Sequence, residues 1–480
     1  MKKILIIIYW LAFLTLKAWS QGSFFYYQDN QQNGIFSFVK EINGYYYLAG
    51  SIGDKSSNNG AFIVKIGPYG NIINQYIDID TAMFQDAFAF IKSNDTTLRL
   101  FINDFGYKPS RLLINELDLN LNFRSRKEII IKDSTAIAMR DVIIDENGDY
   151  VIIGGLYGSP LYGNNYHGQF ILKLSPNLDS LNYHEQYNRY FLNIIENKFT
   201  DQYYIGGDTY DFDVFDRNLN FVKLLRVDTF VLTIRSHIFV DTNKIALIGY
   251  MPLFNNPYQF NIVIKYVDTL GNDYKRVEVY AVDTISTPGF GKMISQTKDS
   301  SFIYFVWKKN DNILSYCNGG EPGYVGIGKF DKNLNKKWVK YYGNDSSDFI
   351  PIHQITTSDG GVLVAGYMNH CEINDPIAHY FILKVDSAGE YTFMREFTLP
   401  QPAVKIYPNP SQDYVSFDMP FPSGMLKWLI IYDQSGRAVK IISGNDIGKK
   451  IDIQELNCGV YLLQLTDKND RTYTGKFVKE

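Results

Sequence analysis

The sequence predicts an all-β protein built on a repeated four-stranded unit, and three observations carry that expectation. First, 37 Tyr and 33 Phe accompany frequent Ile and Val among 480 residues, a composition suited to pleated, half-buried surfaces. Second, apolar and polar residues alternate in short runs, and outside the first twenty or so residues no stretch sustains apolar residues at helical spacing. Third, one phrase returns along the chain: an apolar strand ending in Gly, a polar loop, a strand carrying Lys, then a turn containing Asp, Asn or Gly.

The phrase reads GYYYLAGS and AFIVKIGPYGNI from Gly44 to Ile72, then GDYVIIGG and QFILKLSPNLDS from Gly148. It returns as DQYYIGGD from Asp201, as NKIALIGY and NIVIKYVDTLGN from Asn243, and as GGVLVAGY and YFILKVDSAGEY from Gly360. Degenerate copies from Thr96 and Ser301 fill the gaps. The residue closing the first strand of the phrase falls at Gly50, Ile102, Gly154, Gly206, Gly249, Tyr304 and Gly366, in steps of 52, 52, 52, 43, 55 and 62 residues. A period of about 50 residues is the signature of a repeat fold.

An apolar segment before the Gly strand (IFSFVKEI, AMRDVIID, IPIHQITT) and a further strand after the turn (IINQYID, YKRVEVY, KKWVKYYG) bring each unit to four strands. A twisted sheet of this kind is apolar on both faces, and stacking units around an axis buries both. Residues 21–397 are therefore expected to form a β-propeller of about seven blades. A β-solenoid has shorter coils, and stacked sandwiches would not keep the spacing even. Phe24 to Gln28 looks like an outer strand arriving ahead of its own blade, able to close the ring against the last repeat. Tyr391 to Phe397 looks like an outer strand for that same repeat, and both cannot occupy one edge. Residues 398–403, with the spaced prolines Pro400 and Pro402, read as an extended linker.

At the start of the chain Lys2 and Lys3 precede an apolar run from Ile4 to Leu16, and Ala18-Trp19-Ser20 follows with small residues, the pattern of a secretory signal over residues 1–20. That run is shorter than the roughly 20 apolar residues that span a bilayer, and no later segment approaches it, so no transmembrane segment is expected. Residues 21–403 carry 34 Lys and Arg against 42 Asp and Glu, which argues against nucleic acid as a partner.

The end of the chain has its own pattern. From Val404 it runs VKIYPNPSQDYVSFDMP, LIIYDQSGRAVKII and IDIQELNCGVYLLQLTD, and it closes on GKFVKE. Tyr407-Pro408-Asn409-Pro410 makes a rigid turn. Asp433, Gly436 and Arg437 supply hairpin chemistry between two apolar strands. Asn457-Cys458-Gly459 turns the chain into Val460-Tyr461-Leu462-Leu463. These blocks resemble the type A sorting domain of the Bacteroidetes type IX secretion system, at its Y-P-N-P start, its D-x-x-G-R-x-V middle, its L-x-x-G-V-Y-L-L strand and its K-F-V-K end. The resemblance implies an immunoglobulin-like β-sandwich over residues 404–480 that engages the type IX machinery, directs export from the periplasm across the outer membrane, and is removed by a cell-surface sortase. The sorting residues it implies are Tyr407, Pro408, Asn409, Pro410, Gly436, Arg437, Gly459, Val460 and Tyr461. Strand periodicity alone also fits a small adhesive sandwich. The repeats ahead of the tail resemble, weakly, the secreted propeller repeats that accompany such tails.

No catalytic constellation is visible, and no cofactor is expected. His167, His184, His237, His353, His370 and His379 fall in different repeats without metal-ligand spacing; His370, Cys371, Glu372 and His379 share one loop, open to a metal site or to plain solvation. Asp211, Asp213 and Asp216 alternate along a strand and lack the Gly and terminal acid of a calcium loop. The insert from Gly154 to Gly168 suits sugar or peptide contacts, and equally an ordinary packed loop. Sialidase-type boxes and W-D repeats are absent. These features point to a secreted or cell-surface binding or structural module with an unknown glycan or protein ligand; the alternative is a hydrolase of extracellular glycan or peptide with its site at the channel mouth. Cys317 and Cys371 follow the same strand of consecutive repeats, so a disulfide could join them on one rim, or all three cysteines could stay free. Cys458 is expected to be a buried thiol.

Overall fold

The computed structural model describes residues 25–26, 32–54, 59–68, 70–78, 85–104, 111–131, 136–157, 166–187, 191–207, 211–227, 233–253, 256–279, 285–288, 291–310, 322–371, 378–391, 404–418, 426–433, 437–444, 450–468 and 472–480. The expected signal (1–20), the linker (398–403), Cys317 and Gly436 lie outside them. Among the described residues there is no α-helix, and none that could cross a membrane. The chain divides into two compact units, Met1–Phe397 and Thr398–Glu480.

In the larger unit, β1 (Phe25–Tyr26) precedes a series of antiparallel four-stranded sheets in chain order. The first holds β2 (Gln32–Ile42), β3 (Tyr45–Asp54), β4 (Asn59–Ile66) and β5 (Ile72–Asp78); the second β6 (Gln85–Lys92), β7 (Thr97–Asp104), β8 (Arg111–Asp118) and β9 (Phe123–Ile130). Next come β10 (Ala136–Ile144), β11 (Tyr150–Tyr157), β12 (Tyr166–Leu174) and β13 (Ser180–Gln186), then β14 (Phe191–Asn197), β15 (Gln202–Gly207), β16 (Asp211–Asp216) and β17 (Phe221–Arg226). A fifth sheet holds β18 (Thr233–Asp241), β19 (Lys244–Leu253), β20 (Asn256–Asp268) and β21 (Asp273–Val279). Two further groups are linked by a single parallel bridge, Gly323–Asp348. One holds β22 (Ile285–Pro288), β23 (Ile294–Gln296), β24 (Phe302–Asn310), β25 (Gly323–Asp331) and β26 (Lys336–Tyr342); the other holds β27 (Ser347–Thr356), β28 (Val362–His370), β29 (His379–Val385) and β1.

Burial tells which edge of each sheet faces inward. Fourth strands such as β9, β13 and β17 are exposed or half-exposed, whereas β6 and β14 are mostly buried although each is an edge strand. The reason is that first strands meet one another: β2 packs on β6, β6 on β10, β10 on β14, β14 on β18, β18 on β23, β23 on β27, and β27 on β2. The circuit closes through Gly34 N donating to Ala378 O (2.9 Å), Tyr380 Oη to Ser51 O (2.8 Å) and Ser358 N to Glu41 Oε2 (2.7 Å). Such sheets bury apolar side chains on both faces, and Phe36, Phe62 and Tyr380 pack together across the closing seam.

The last edge differs from expectation. Both candidate segments use β29: Phe25 and Tyr26 pair with Ile382 and Phe381, while Tyr391 bridges Val385. Each takes only part of the strand's length, so they need not exclude one another.

Two local devices recur. An extra residue bulges from the first strand at Ser37, Phe88, Arg140, Leu192, Arg235 and Ile352. The residues facing these bulges include Gly50, Ile102, Gly154, Gly249 and Gly366; a Cβ on Gly50 would lie 1.9 Å from Ile35 O, and one on Gly366 2.1 Å from Ile350 O. In the β22–β26 group the first strand is broken instead, between Pro288, opposite Trp307, and Ile294, opposite Phe305. The matching position there is Trp307, not Tyr304, because Trp307 is the residue opposite Pro288, the last before the break; in the β14–β17 sheet it is Gly207, not Gly206. The second device is the turn between third and fourth strands, closed by an N–H donating to the carbonyl four residues on, at Gly67, Asp118, Ser175, Asp216, Asp268, Asp331 and Asp386. Its fourth residue has a positive φ and is Gly70, Gly271 or Gly389 in three copies and Leu121, Leu178, Leu219 or Leu334 in four. Those leucines are all buried, so packing offsets the left-handed backbone that a side chain normally avoids.

In the smaller unit β30 (Ile406–Tyr407), β31 (Tyr414–Phe417) and β34 (Ile451–Asp452) form one sheet, and β33 (Ala438–Ser443), β32 (Leu426–Tyr432), β35 (Gly459–Asp467) and β36 (Thr472–Lys479) form another, in that order. Val415, Leu429, Ile431, Ile453, Leu463, Leu465 and Phe477 make their shared core.

Candidate functional site

The inner edge of the larger unit collects the polar side chains that the repeats keep apart in sequence. Lys292 stands in the break between β22 and β23. Its Nζ lies 2.9 Å from Asp141 Oδ1 and 5.8 Å from the centre of the Phe38 ring. Asp141 is on β10 and Phe38 on β2, neither on a sheet adjacent to that of Lys292 in the circuit, so the lysine reaches across the space that the first strands enclose. Asp141 is held in turn by the backbone N–H groups of Val142 (2.8 Å, to Oδ1) and Ile194 (3.1 Å, to Oδ2). The Phe38 ring is 4.5 Å from the His353 imidazole.

His353 is 5% exposed, and neither ring nitrogen has a hydrogen-bond partner among the described residues. Burial, then repulsion from Lys292 and Lys40, pulls its pKa well below the ordinary histidine range. His237 is also buried and is depressed to about 3, by burial and by Lys292, against a weak contact with Tyr204 O. Lys40 is open to water, yet enclosure by protein and repulsion from Lys292 lower its pKa. Asp86 accepts from Ser37 Oγ (3.4 Å) and is pushed up to about 6 by burial, against Ser37 and Arg140. Chemically this is a water-accessible site with ammonium groups, a neutral imidazole and an aromatic face, whose nearest carboxylate, Asp141, is already engaged.

Hydrogen bonds fasten each first strand to a neighbouring sheet around it. Asn103 Oδ1 accepts from Met139 N (2.8 Å), Gln169 Oε1 from Phe191 N (2.8 Å) and Ser236 Oγ from Met293 N (3.0 Å), while Asn193 Nδ2 donates to Arg235 O (2.6 Å). These bonds satisfy backbone groups that an edge strand otherwise leaves open. Sequence reasoning missed them; polar residues at the ends of apolar runs were the available signal.

The other candidates have plainer places. His370 and His379 meet across β28 and β29 with ring centres 5.0 Å apart, Glu372 lies outside the described residues, and no three His, Cys, Asp or Glu side chains among the described residues could hold a metal. His184 packs edge-on to Phe215, and His167 has no described side chain. Asp211 and Asp213 are buried on β16, whereas Asp216 closes its turn by accepting from Asn218 N (2.9 Å) and Asn220 N (2.8 Å). The tip of the insert after Gly154, residues 158–165, lies outside the described residues, as does Cys317, the expected partner of Cys371.

In the smaller unit the motif residues do structural work. The Tyr407–Pro408 and Asn409–Pro410 peptide bonds are cis. Asn409 accepts from Val478 N (2.9 Å) and donates to Lys476 O (3.1 Å), so its side chain hooks the open edge of β36 and joins the first motif block to the last. Arg437 is exposed and closes its turn on Asp433, through N to Oδ1 (3.1 Å) and Nε to Oδ2 (3.2 Å). Tyr461 is buried, stacks on Phe477 and donates to Asn457 O (2.8 Å), and Val460 pairs with Val478. At Gly459 a Cβ would meet only Tyr461, at 3.9 Å, so the fold itself leaves room for a side chain there. Cys458 is exposed rather than buried: it stands in the turn before β35, and inward-facing Tyr461 fills the core at that end.

No curated protein matches the chain. Residues 405–480 match the family of secretion system C-terminal sorting domains, which places a type IX sorting tail on this chain, indicates its export out of the cell and implies contact with the type IX machinery.

Proposed function

We propose that this chain is a secreted or surface-attached seven-bladed β-propeller that serves as a binding or structural module, and that its immunoglobulin-like tail is the export signal. On this reading residues 1–20 are a signal peptide, residues 21–397 the propeller, 398–403 the linker and 404–480 the sorting domain, carried through the periplasm and cut from the propeller by a surface sortase. The observation that carries the architecture is the closed circuit of first strands, since only sheets arranged radially let every inner edge touch two others. A ligand, glycan or protein, enters at the channel mouth. Binding is favoured over hydrolysis because Asp141, the acid beside Lys292, is committed to Lys292 and two backbone N–H groups, and so is poorly placed to trade protons with a substrate. The test is a chain ended at Ala403. It should fold and remain in the periplasm, and its appearance in the medium or on the surface as efficiently as the full chain would refute the role of the tail.

A further inference from the structure

The axial cluster is more specific than a generic channel. Lys292 has Asp141 as its partner, and Arg140 faces Asp86 through its field. Lys40, on β2, has no hydrogen bond or ion pair among the described residues, and the like charge of Lys292 acts on it. Beside the two lysines stands His353, with two nitrogens that no described group satisfies and an aromatic neighbour, Phe38, that also faces Lys292. An unpartnered buried imidazole, and a Lys40 ammonium that feels the like charge of Lys292 without a carboxylate of its own, are costly. The same arrangement becomes favourable once an oxyanion lies among them. The surrounding domain is acidic, with 42 Asp and Glu against 34 Lys and Arg in residues 21–403, so this local excess of positive charge is not a property of the surface at large.

We propose that the channel binds an anionic group of carboxylate or phosphate class between Lys40 and Lys292, with His353 donating a hydrogen bond to it. The ligand is then an acidic sugar or a phosphorylated molecule that presents one such group to the axis. This inference rests on the ring reading above. Nothing covalent is involved, and the site selects by charge and by hydrogen-bond geometry.

The test is calorimetric titration of the full exported chain at low salt, with inorganic phosphate in one arm and galacturonate in the other. One saturable site is expected in at least one arm, and the arm that binds identifies the class. Lys40→Met should weaken that binding about ten- to a hundredfold, the usual loss when a charged hydrogen bond is removed. Lys40→Arg should retain most of it. Because Lys40 makes no bond that holds the fold, Lys40→Met should melt no lower than the parent, so a binding loss cannot be ascribed to unfolding. Absence of saturable binding in both arms would overturn the site, and so would binding that Lys40→Met leaves unchanged. An experimental structure separates the two failures: an intact ring without anion binding sinks this inference alone, and an open arrangement of sheets sinks the ring reading with it.

Discussion

Replacing Asp145 by Ala tests whether buried charge joins adjacent sheets. Asp145 lies in the turn between β10 and β11, its side chain fully enclosed, and one oxygen accepts from Lys173 Nζ (2.8 Å) and from Tyr203 Oη (2.7 Å) on the next sheet. The other oxygen accepts from Asn147 N and Asp149 N, both at 2.9 Å. Removing the carboxylate strands a lysine whose side chain is 7% exposed, with Tyr203 Oη (3.1 Å), Asp149 (3.3 Å) and Arg217 O (3.3 Å) left to it. Breaking a buried pair on one side costs about 3–5 kcal/mol, and the residual Asp149 contact puts this case near the lower figure. That is a large share of the roughly 5–15 kcal/mol that holds a typical domain together. Urea unfolding followed by tryptophan fluorescence should show the midpoint fall accordingly. Adding Lys173→Met should recover about 1–3 kcal/mol, because the stranded charge is then gone. The effect also depends on pH in a fixed direction. Burial pushes the Asp145 carboxyl up, but the bonds from Lys173, Tyr203 and Asp149 outweigh it and hold the pKa below the ordinary value. A depressed carboxylate stabilises above its unfolded pKa, about 4, and loses that contribution as pH falls through the lower folded value. Parent and variant should therefore differ by a constant amount from neutral pH down to about 5, and converge in acid. A loss under about 1 kcal/mol, or strict additivity of the two changes, would refute the reasoning.

Two further outcomes follow from the repeats. Leu219→Gly relieves a left-handed backbone (φ 61°), worth about 1–2 kcal/mol, but gives up a side chain that is 2% exposed, worth about 2–3 kcal/mol, so denaturant melts should show a net loss of about 1 kcal/mol; a stabilised variant would mean that the leucine packs against nothing. For the cysteines, mass spectrometry of unreduced peptides from exported protein should yield a Cys317–Cys371 bridge, whose loop of about 54 residues would contribute roughly 3–4 kcal/mol; a Cys317 peptide found only as the free thiol removes both the bridge and the shared rim.

The repeating unit and the tail can be read from the residues alone. Alternation along each strand, Asp and Asn in the turns, and the ordered blocks from Tyr407 to Lys479 are local properties, set by the residues that carry them, and each can be recognised without knowing where the strand goes. What those units bring together depends on how the strands pack. Trp307 takes the position assigned to Tyr304 because it stands opposite Pro288, where the neighbouring strand breaks, and two edge segments share β29 because each covers only part of it. Cys458 faces water because the core at that end is already filled by Tyr461. The axial cluster was least legible of all. Lys40, Asp141, Lys292 and His353 come from four different strand groups, and their convergence depends on which residue each bulge or break turns toward the inner edge. Periodicity cannot encode that, since a shift of one residue sends a side chain to the opposite face of its strand.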